Sequence, residues 1–232
     1  MNRVRTYCAI IGDMNDSRSL KNRAQVQRRF EAAIGKLNEE YRKELAAEFM
    51  ITLGDEFQGL LVSAGKSHAI VMRFRELMAP VAFSFGIGIG TLSTRKHRQT
   101  VAMDGEVFHA ARRAVERSKK SRMLVTFAVN DRAETVLNSL TELAMNLRGT
   151  MTGRQSEIAS LIRRLGTQSR VARALGIRQP TVWKSLASAR ASAVHRAEDA
   201  ISSYLETLIS RPRKRGAAGG HRPREESRRR FP

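Results

Sequence analysis

Ile51-Thr52-Leu53-Gly54-Asp55-Glu56-Phe57-Gln58-Gly59-Leu60-Leu61 reads as two short apolar runs joined by Gly54-Asp55-Glu56. A glycine followed by acidic residues between β-prone flanks signals a hairpin, here with arms at 49–53 and 57–62. A solvated turn often carries one Asp for backbone reasons. A second carboxylate, between arms that should be buried, suggests a divalent-metal site when another acidic cluster ends an earlier strand. That cluster exists: the apolar run Tyr7-Cys8-Ala9-Ile10-Ile11 leads into Gly12-Asp13 and then Asn15-Asp16.

The elements around the hairpin follow from periodicity. Val26, Phe30, Ile34, Leu37, Tyr41 and Leu45 recur every three or four residues, which predicts an amphipathic helix over 20–45. Ile70 to Met78 predicts a second helix, stopped by Pro80. In the strand 81–90, Phe83, Phe85, Ile87 and Ile89 share one face, while Ser84, Gly86, Gly88 and Gly90 leave the other bare. Glycines there mark close approach of another backbone or of a ligand. A dinucleotide loop is rejected because polar, basic residues follow it rather than a helix. A helix over 105–118 and a strand over 123–129 complete the order β-α-ββ-α-β-α-β. This is a ferredoxin-like split-βαβ core with an added helix and strand. In it the first two strands run parallel with the third between them, so Asp13 and Asp55 meet at one sheet edge. Those two carboxylates, with Asp16 or Glu56 beside them, suit Mg²⁺ or Mn²⁺ held against a nucleoside triphosphate. A loop cap and a solvated turn explain the same residues equally well on spacing alone. Cys8, on a buried strand, reads as inert core.

A second unit follows a connecting helix over 130–150. Helices closed by Gly166 and Gly176, and a third opened by Gln179-Pro180-Thr181-Val182-Trp183, give the helix-turn-helix pattern over 151–210. Ala172 and Gly176 are small enough for two helices to approach closely. Gln179, Thr181, Lys184 and Ser185 are placed to read base edges, and Arg170, Arg173, Arg178 and Arg190 to contact phosphates. An ordinary three-helix packing module is the plainer alternative. Residues 211–232 are Arg, Lys, Pro and Gly with little apolar content, a basic tail expected to be disordered.

Composition agrees with a DNA partner. The 232 residues carry 42 Lys and Arg against 22 Asp and Glu, a net charge of +20, which favours a polyanion, either nucleic acid or an acidic membrane surface. One Cys excludes an intrachain disulfide framework, and no apolar run is long enough to span a bilayer. The expectation is a cytoplasmic protein with no membrane partner, pairing as a homodimer if two DNA half-sites are read.

Leu53-Gly54-Asp55-Glu56-Phe57 resembles the hairpin of GGDEF diguanylate cyclases and class III nucleotide cyclases, with Leu53 at the first glycine of the GGDEF signature. Gly105 to Arg113 is similar to the cyclase helix carrying a catalytic Asn and Arg, with His109 and Arg113 at those positions. Ile51 stands where many adenylate cyclases select the base with Lys. Over roughly the first 130 residues the chain resembles the SatD family, in Ala9 to Asp13, Thr52 to Leu61 and Phe85 to Gly90. The resemblance implies an α/β (α+β) palm domain of ferredoxin-like, nucleotide-cyclase-like fold over 1–129; the all-α helix-turn-helix domain read from spacing follows it. It carries metal binding to Asp13 and Asp55, makes Gly54, Glu56 and Arg113 the nucleotide-contacting candidates, and makes His109 and Arg113 the catalytic ones. His109 and Ile51 depart from a standard cyclase. The resulting expectation is a DNA-binding transcriptional regulator whose palm binds nucleotide and metal. The alternative is a nucleotidyl cyclase or related nucleotidyltransferase localised by its helix-turn-helix.

Overall fold

The computed structural model describes residues 5–94, 100 and 103–210; the basic tail lies outside them. The elements are β1 (Thr6–Met14), a 3₁₀ turn (Ser17–Ser19), α1 (Arg23–Glu40), β2 (Leu45–Leu53), β3 (Glu56–Leu61), α2 (Ser67–Met78), β4 (Phe83–Thr91), α3 (Glu106–Ser121) and β5 (Val125–Ala128). Five further helices follow: α4 (Glu134–Gly149), α5 (Gly153–Leu165), α6 (Gln168–Leu175), α7 (Gln179–Ser188) and α8 (Ala191–Ser210).

The sheet order is β2-β3-β1-β4-β5. β3 is antiparallel to both β1 and β2, β4 is antiparallel to β1, and β5 is parallel to β4. The first four strands therefore have the split-βαβ arrangement expected from the sequence, with β5 added beside β4.

Two helical layers sandwich the sheet. On one face, Phe30, Phe57, Phe74, Phe83 and Phe85 make a cluster under α1 and α2. Phe57 and Phe74 lie 4.5 Å apart between ring centroids, a separation at which aromatic pairs add to area burial. On the other face α3 covers Ala9, Ile11 and Leu60 through Val107, Ala111 and Val115. This resolves the bare face of β4. A Cβ on Gly86 would overlap backbone atoms of Ala111 and Val115, and one on Gly88 would overlap Ala111 and Val107. The glycines admit a helix backbone, not a ligand.

The helix predicted over 20–45 is shorter than its spacing suggested. It ends at Glu40, the chain reverses with Glu44 N–H donating to the Tyr41 carbonyl at 2.9 Å, and Leu45 opens β2. Leu45 keeps helical spacing from Tyr41, which is why periodicity alone misassigned it. Both sheet edges are closed by a helix asparagine acting as a spare peptide group. Asn38 on α1 accepts from Phe49 N–H at 2.7 Å and donates to its carbonyl at 2.9 Å; Asn138 on α4 does the same to Phe127 at 2.8 and 3.1 Å. Such plugs satisfy edge groups that would otherwise template another strand.

The C-terminal helices do not stand apart from the sheet. Leu137 of α4 and Ile201 and Leu205 of α8 are buried in the same core as the phenylalanine cluster. α5, α6 and α7 share a smaller core of Ile158, Val171, Ala172 and Val182. Among the described residues no helix is long and apolar enough to cross a membrane.

Candidate functional site

The carboxylates meet where the strand order places them. Gly54 takes a left-handed φ of +50°, which lets a two-residue turn join the paired Leu53 and Glu56. Asp13 lies opposite Glu56 in the β1–β3 register, and Met14 N–H donates to the Asp55 carbonyl at 2.9 Å. Ser17 Oγ donates to Asp55 Oδ2 at 2.7 Å. Asp16 is exposed at a left-handed φ of 51°.

Two cations from α3 occupy this edge. Lys119 Nζ stands 2.6 Å from Asp13 Oδ2. Arg112 grips both oxygens of Glu56, and Thr52 Oγ1 adds a hydrogen bond to Oε1 at 2.9 Å. Glu56, 3% exposed, is thereby a buried half of an ion pair rather than an open ligand. Burial pushes the Asp13 carboxyl above its usual range; Lys119 opposes this, and the charges of Asp55 and Glu56 reinforce it. Burial also pushes the Cys8 thiol up to about 12 against a hydrogen bond from Ser67, in keeping with an inert core residue.

The other sequence-derived candidates lie elsewhere in the chain. His109 is exposed, with Nε2 3.2 Å from Asp104 Oδ1 near the start of α3. That end of α3 packs at Gly90, which pairs with Tyr7, so it is roughly 20 Å along β1 from Asp13 at ~3.3 Å per residue. Arg113, about 100° round the helix from Arg112, lines a groove of about 480 Å³ with Glu116, Arg117 and Glu134. Within one chain, then, Arg112 and Lys119 reach the carboxylates, whereas His109 and Arg113 do not. The two cations are seven residues apart and so share a helix face. On a helix that also carries Arg113, Arg117 and Lys120, that spacing does not single them out.

Two results are expected here. Arg112→Ala leaves Glu56 buried without its counter-charge; because Arg112 is itself half-exposed and water can enter, the loss is about 2–3 kcal/mol. Adding Glu56→Gln to that variant should recover a good part of it, as a double-mutant cycle by urea unfolding would show. Asp13→Asn acts in the opposite sense. A folded pKa raised above the unfolded one adds stability below the unfolded value that is lost as pH rises through the folded value. The neutral amide should therefore raise the melting temperature at pH 7, with the advantage vanishing toward pH 3.

The second candidate region is the α5–α7 cluster. Thr152 and Gln155 form a reciprocal capping box that starts α5, and Thr167 Oγ1 caps α6 by accepting from Arg170 N–H at 3.3 Å. Gly176 ends α6 at a φ of +63°, with open space where a Cβ would stand. Its role is the left-handed turn, and close helix approach is left to the buried Ala172. Gln179, Thr181 and Lys184 are exposed on α7, Ser185 is half-buried, and Arg170, Arg178 and Arg190 are exposed around them. From Ile158 to Ala197 the chain carries eight Arg and Lys and no Asp or Glu. That acid-free run is a signal which motif reading passed over.

Glu198 closes this run and joins the two regions. It is 3% exposed, and Oε1 accepts from Arg148 Nε and Nη2 at 3.1 and 2.7 Å. Arg163 of α5 approaches Oε2 at 3.7 Å, and His68 Nε2 of α2 lies 4.0 Å from Oε1.

A split-βαβ sheet with an acidic hairpin edge, continued by helices that return to its core, defines the architecture. The chain belongs to the SatD family, whose model matches residues 7–199 and so extends well past the sheet into the helices. Comparison with curated proteins gave no significant match. Among solved structures, a bacterial light-regulated adenylyl cyclase aligns at 12% identity and a TM-score of 0.40, over 53% of this chain and 75% of that one. A regulator of polyketide synthase expression from Bifidobacterium adolescentis aligns at 16% identity and a TM-score of 0.24, over 88% and 83%.

Proposed function

We propose that this chain is a DNA-binding regulator whose α6–α7 pair is a helix-turn-helix. The observation that carries this reading is the acid-free, cation-rich run from Ile158 to Ala197, with the exposed polar residues of α7 at its centre. Phosphate contacts by Lys and Arg release counterions, so affinity falls steeply with salt. Binding of genomic duplex fragments, followed by fluorescence anisotropy across a salt series, tests it. Arg178→Ala and Arg170→Ala should each weaken all sequences and lower the salt slope by about one unit. A salt-independent or absent interaction sinks the reading. A second copy would supply the second half-site, and the reading places the protein in the cytoplasm.

A second reading is favoured by Asp13 and Asp55 meeting at one edge: the sheet domain binds a nucleotide with Mg²⁺ or Mn²⁺, as a sensor or as a nucleotidyl cyclase or transferase. Two carboxylates fit a Mg²⁺ that completes its shell with phosphate oxygens and water, and such an ion would neutralise phosphate charge. It must displace Lys119 from Asp13. No group of three or more His, Cys, Asp or Glu suited to a metal occurs among the described residues, so the nucleotide itself would have to complete the site. Incubation with each nucleoside triphosphate and metal, with product chromatography and calorimetry, separates enzyme from sensor. Neither heat nor product, or either persisting in Asp13→Ala and Asp55→Ala, rules the site out. The two readings join through α8. Ala191 packs against the small helices while Ile201 and Leu205 lie in the sheet's core. Nucleotide that leaves DNA affinity unchanged would sink that coupling.

A further inference from the structure

Trp183 is the sole tryptophan of the chain and stands 59% exposed on α7. The other large exposed hydrophobics among the described residues, Val136 and Leu143, lie on α4. Trp183 sits four residues after Gln179, so both project from one helix face, and with Gln168 and Pro180 they line an open hollow of about 430 Å³. Ser169 Oγ of α6 donates to Gln179 Oε1 at 3.3 Å, a contact that leaves the amide two N–H donors and a remaining acceptor lone pair.

An amide held in this way matches one base edge in the major groove. Its oxygen accepts from adenine N6–H while its nitrogen donates to adenine N7. An apolar side chain beside it has one natural counterpart there, the 5-methyl group of thymine. Four residues of helix rise about 6 Å, so the ring reaches within about two base pairs of the amide's target. The surrounding charge favours this occupant over an apolar protein groove. From Gln168 to Ser188 the face carries Arg170, Arg173, Arg178 and Lys184 and no carboxylate.

We propose that Gln179 and Trp183 form a reading pair for A·T base pairs, the amide taking an adenine and the indole packing on a nearby thymine methyl. This rests on the helix-turn-helix reading and adds its sequence preference. Ser169 is the positioning residue that sets the amide.

The test uses the full chain and a duplex selected from a randomised pool. Each thymine of the selected site is replaced in turn by deoxyuridine, which removes only the methyl. Wild-type affinity should drop several-fold at one or two positions, with the tryptophan emission shifting on binding. Trp183→Ala, checked by circular dichroism to be folded, should bind more weakly and show no thymine–deoxyuridine difference at those positions. Gln179→Ala should lose about tenfold in preference for one adenine, the scale of a bidentate base contact. Lys184→Ala should weaken binding with the methyl discrimination intact. A selected site bound with no deoxyuridine effect, or equally by Trp183→Ala, overturns the pair while leaving DNA binding standing. A pool that yields no preferred duplex overturns both, and emission that responds to a protein fraction rather than DNA assigns Trp183 to protein docking instead.

Discussion

Glu198→Ala is expected to lower stability by about 3–5 kcal/mol, the range for removing one partner of a buried ion pair. The cost lies less in the lost contacts than in what stays behind. Arg148, only 10% exposed, would keep its charge in the interior with no carboxylate to receive it. Arg75 lies beside it, already disfavoured as a cation by burial and by Arg148 itself. At about 2–4 °C per kcal/mol for a chain of this size, the melting temperature should fall by about 6–20 °C. The pH dependence has a definite sign. Burial alone would push the Glu198 carboxyl up, but His68 and Arg148 hold it down to about 2. A depressed carboxylate contributes stability that is whole above its ordinary value near 4.5 and is lost as pH falls toward about 2. The difference between wild type and Glu198→Ala should therefore be large at pH 7 and narrow between pH 4.5 and 2, read by urea unfolding at each pH. A difference constant across that window would mean the charge is not what stabilises the joint.

Gly88→Val is expected to cost about 3 kcal/mol or more, the upper end of overpacking. Most oversized residues displace a side chain that can choose another rotamer. Here the obstruction is backbone: Ala111 N, Val107 O and Ala110 C of α3. A helix gives way only as a unit, so α3 must lift from β4. Arg112 and Lys119 would then withdraw from Glu56 and Asp13, loosening the acidic edge from a distance. Thermal unfolding should show a fall of about 6–12 °C. Hydrogen exchange should locate the loss in α3. Gly35→Ala is the contrast. Gly35 lies inside α1 with open space around it, and the alanine should stabilise by about 0.5–1 kcal/mol through helix propensity. A tolerated valine at Gly88 would mean that α3 is not seated as described.

Where the sequence spoke clearly, it did so through short-range rules. The alternation of Phe83, Phe85, Ile87 and Ile89 marks which face of β4 is buried, because successive strand residues point opposite ways. Gly54 marks the hairpin and Gly166 and Gly176 mark helix ends, because the left-handed backbone favours glycine. From those elements the strand order follows, and with it the meeting of Asp13 and Asp55. Periodicity fails at element ends, as Leu45 shows, because a residue can keep helical spacing after the helix has stopped. It is also silent on which of two adjacent cations turns inward. Arg112 and Arg113 are the same residue type side by side, and only the seating of α3 on the β4 glycines aims Arg112 at Glu56. The same holds for Glu198, whose spacing puts it on the apolar face of α8 with Ile201 and Leu205 but names no partner. Its burial depends on α8 returning to the sheet's core, where Arg148, Arg163 and His68 arrive from three other helices. The sequence by itself determined which strands, helices and turns form and the acidic edge they build, though not where each element ends, since these depend on local sterics and hydrophobic period. Tertiary structure alone decided which charges pair, because a pair depends on long-range packing that brings distant residues within a few ångströms.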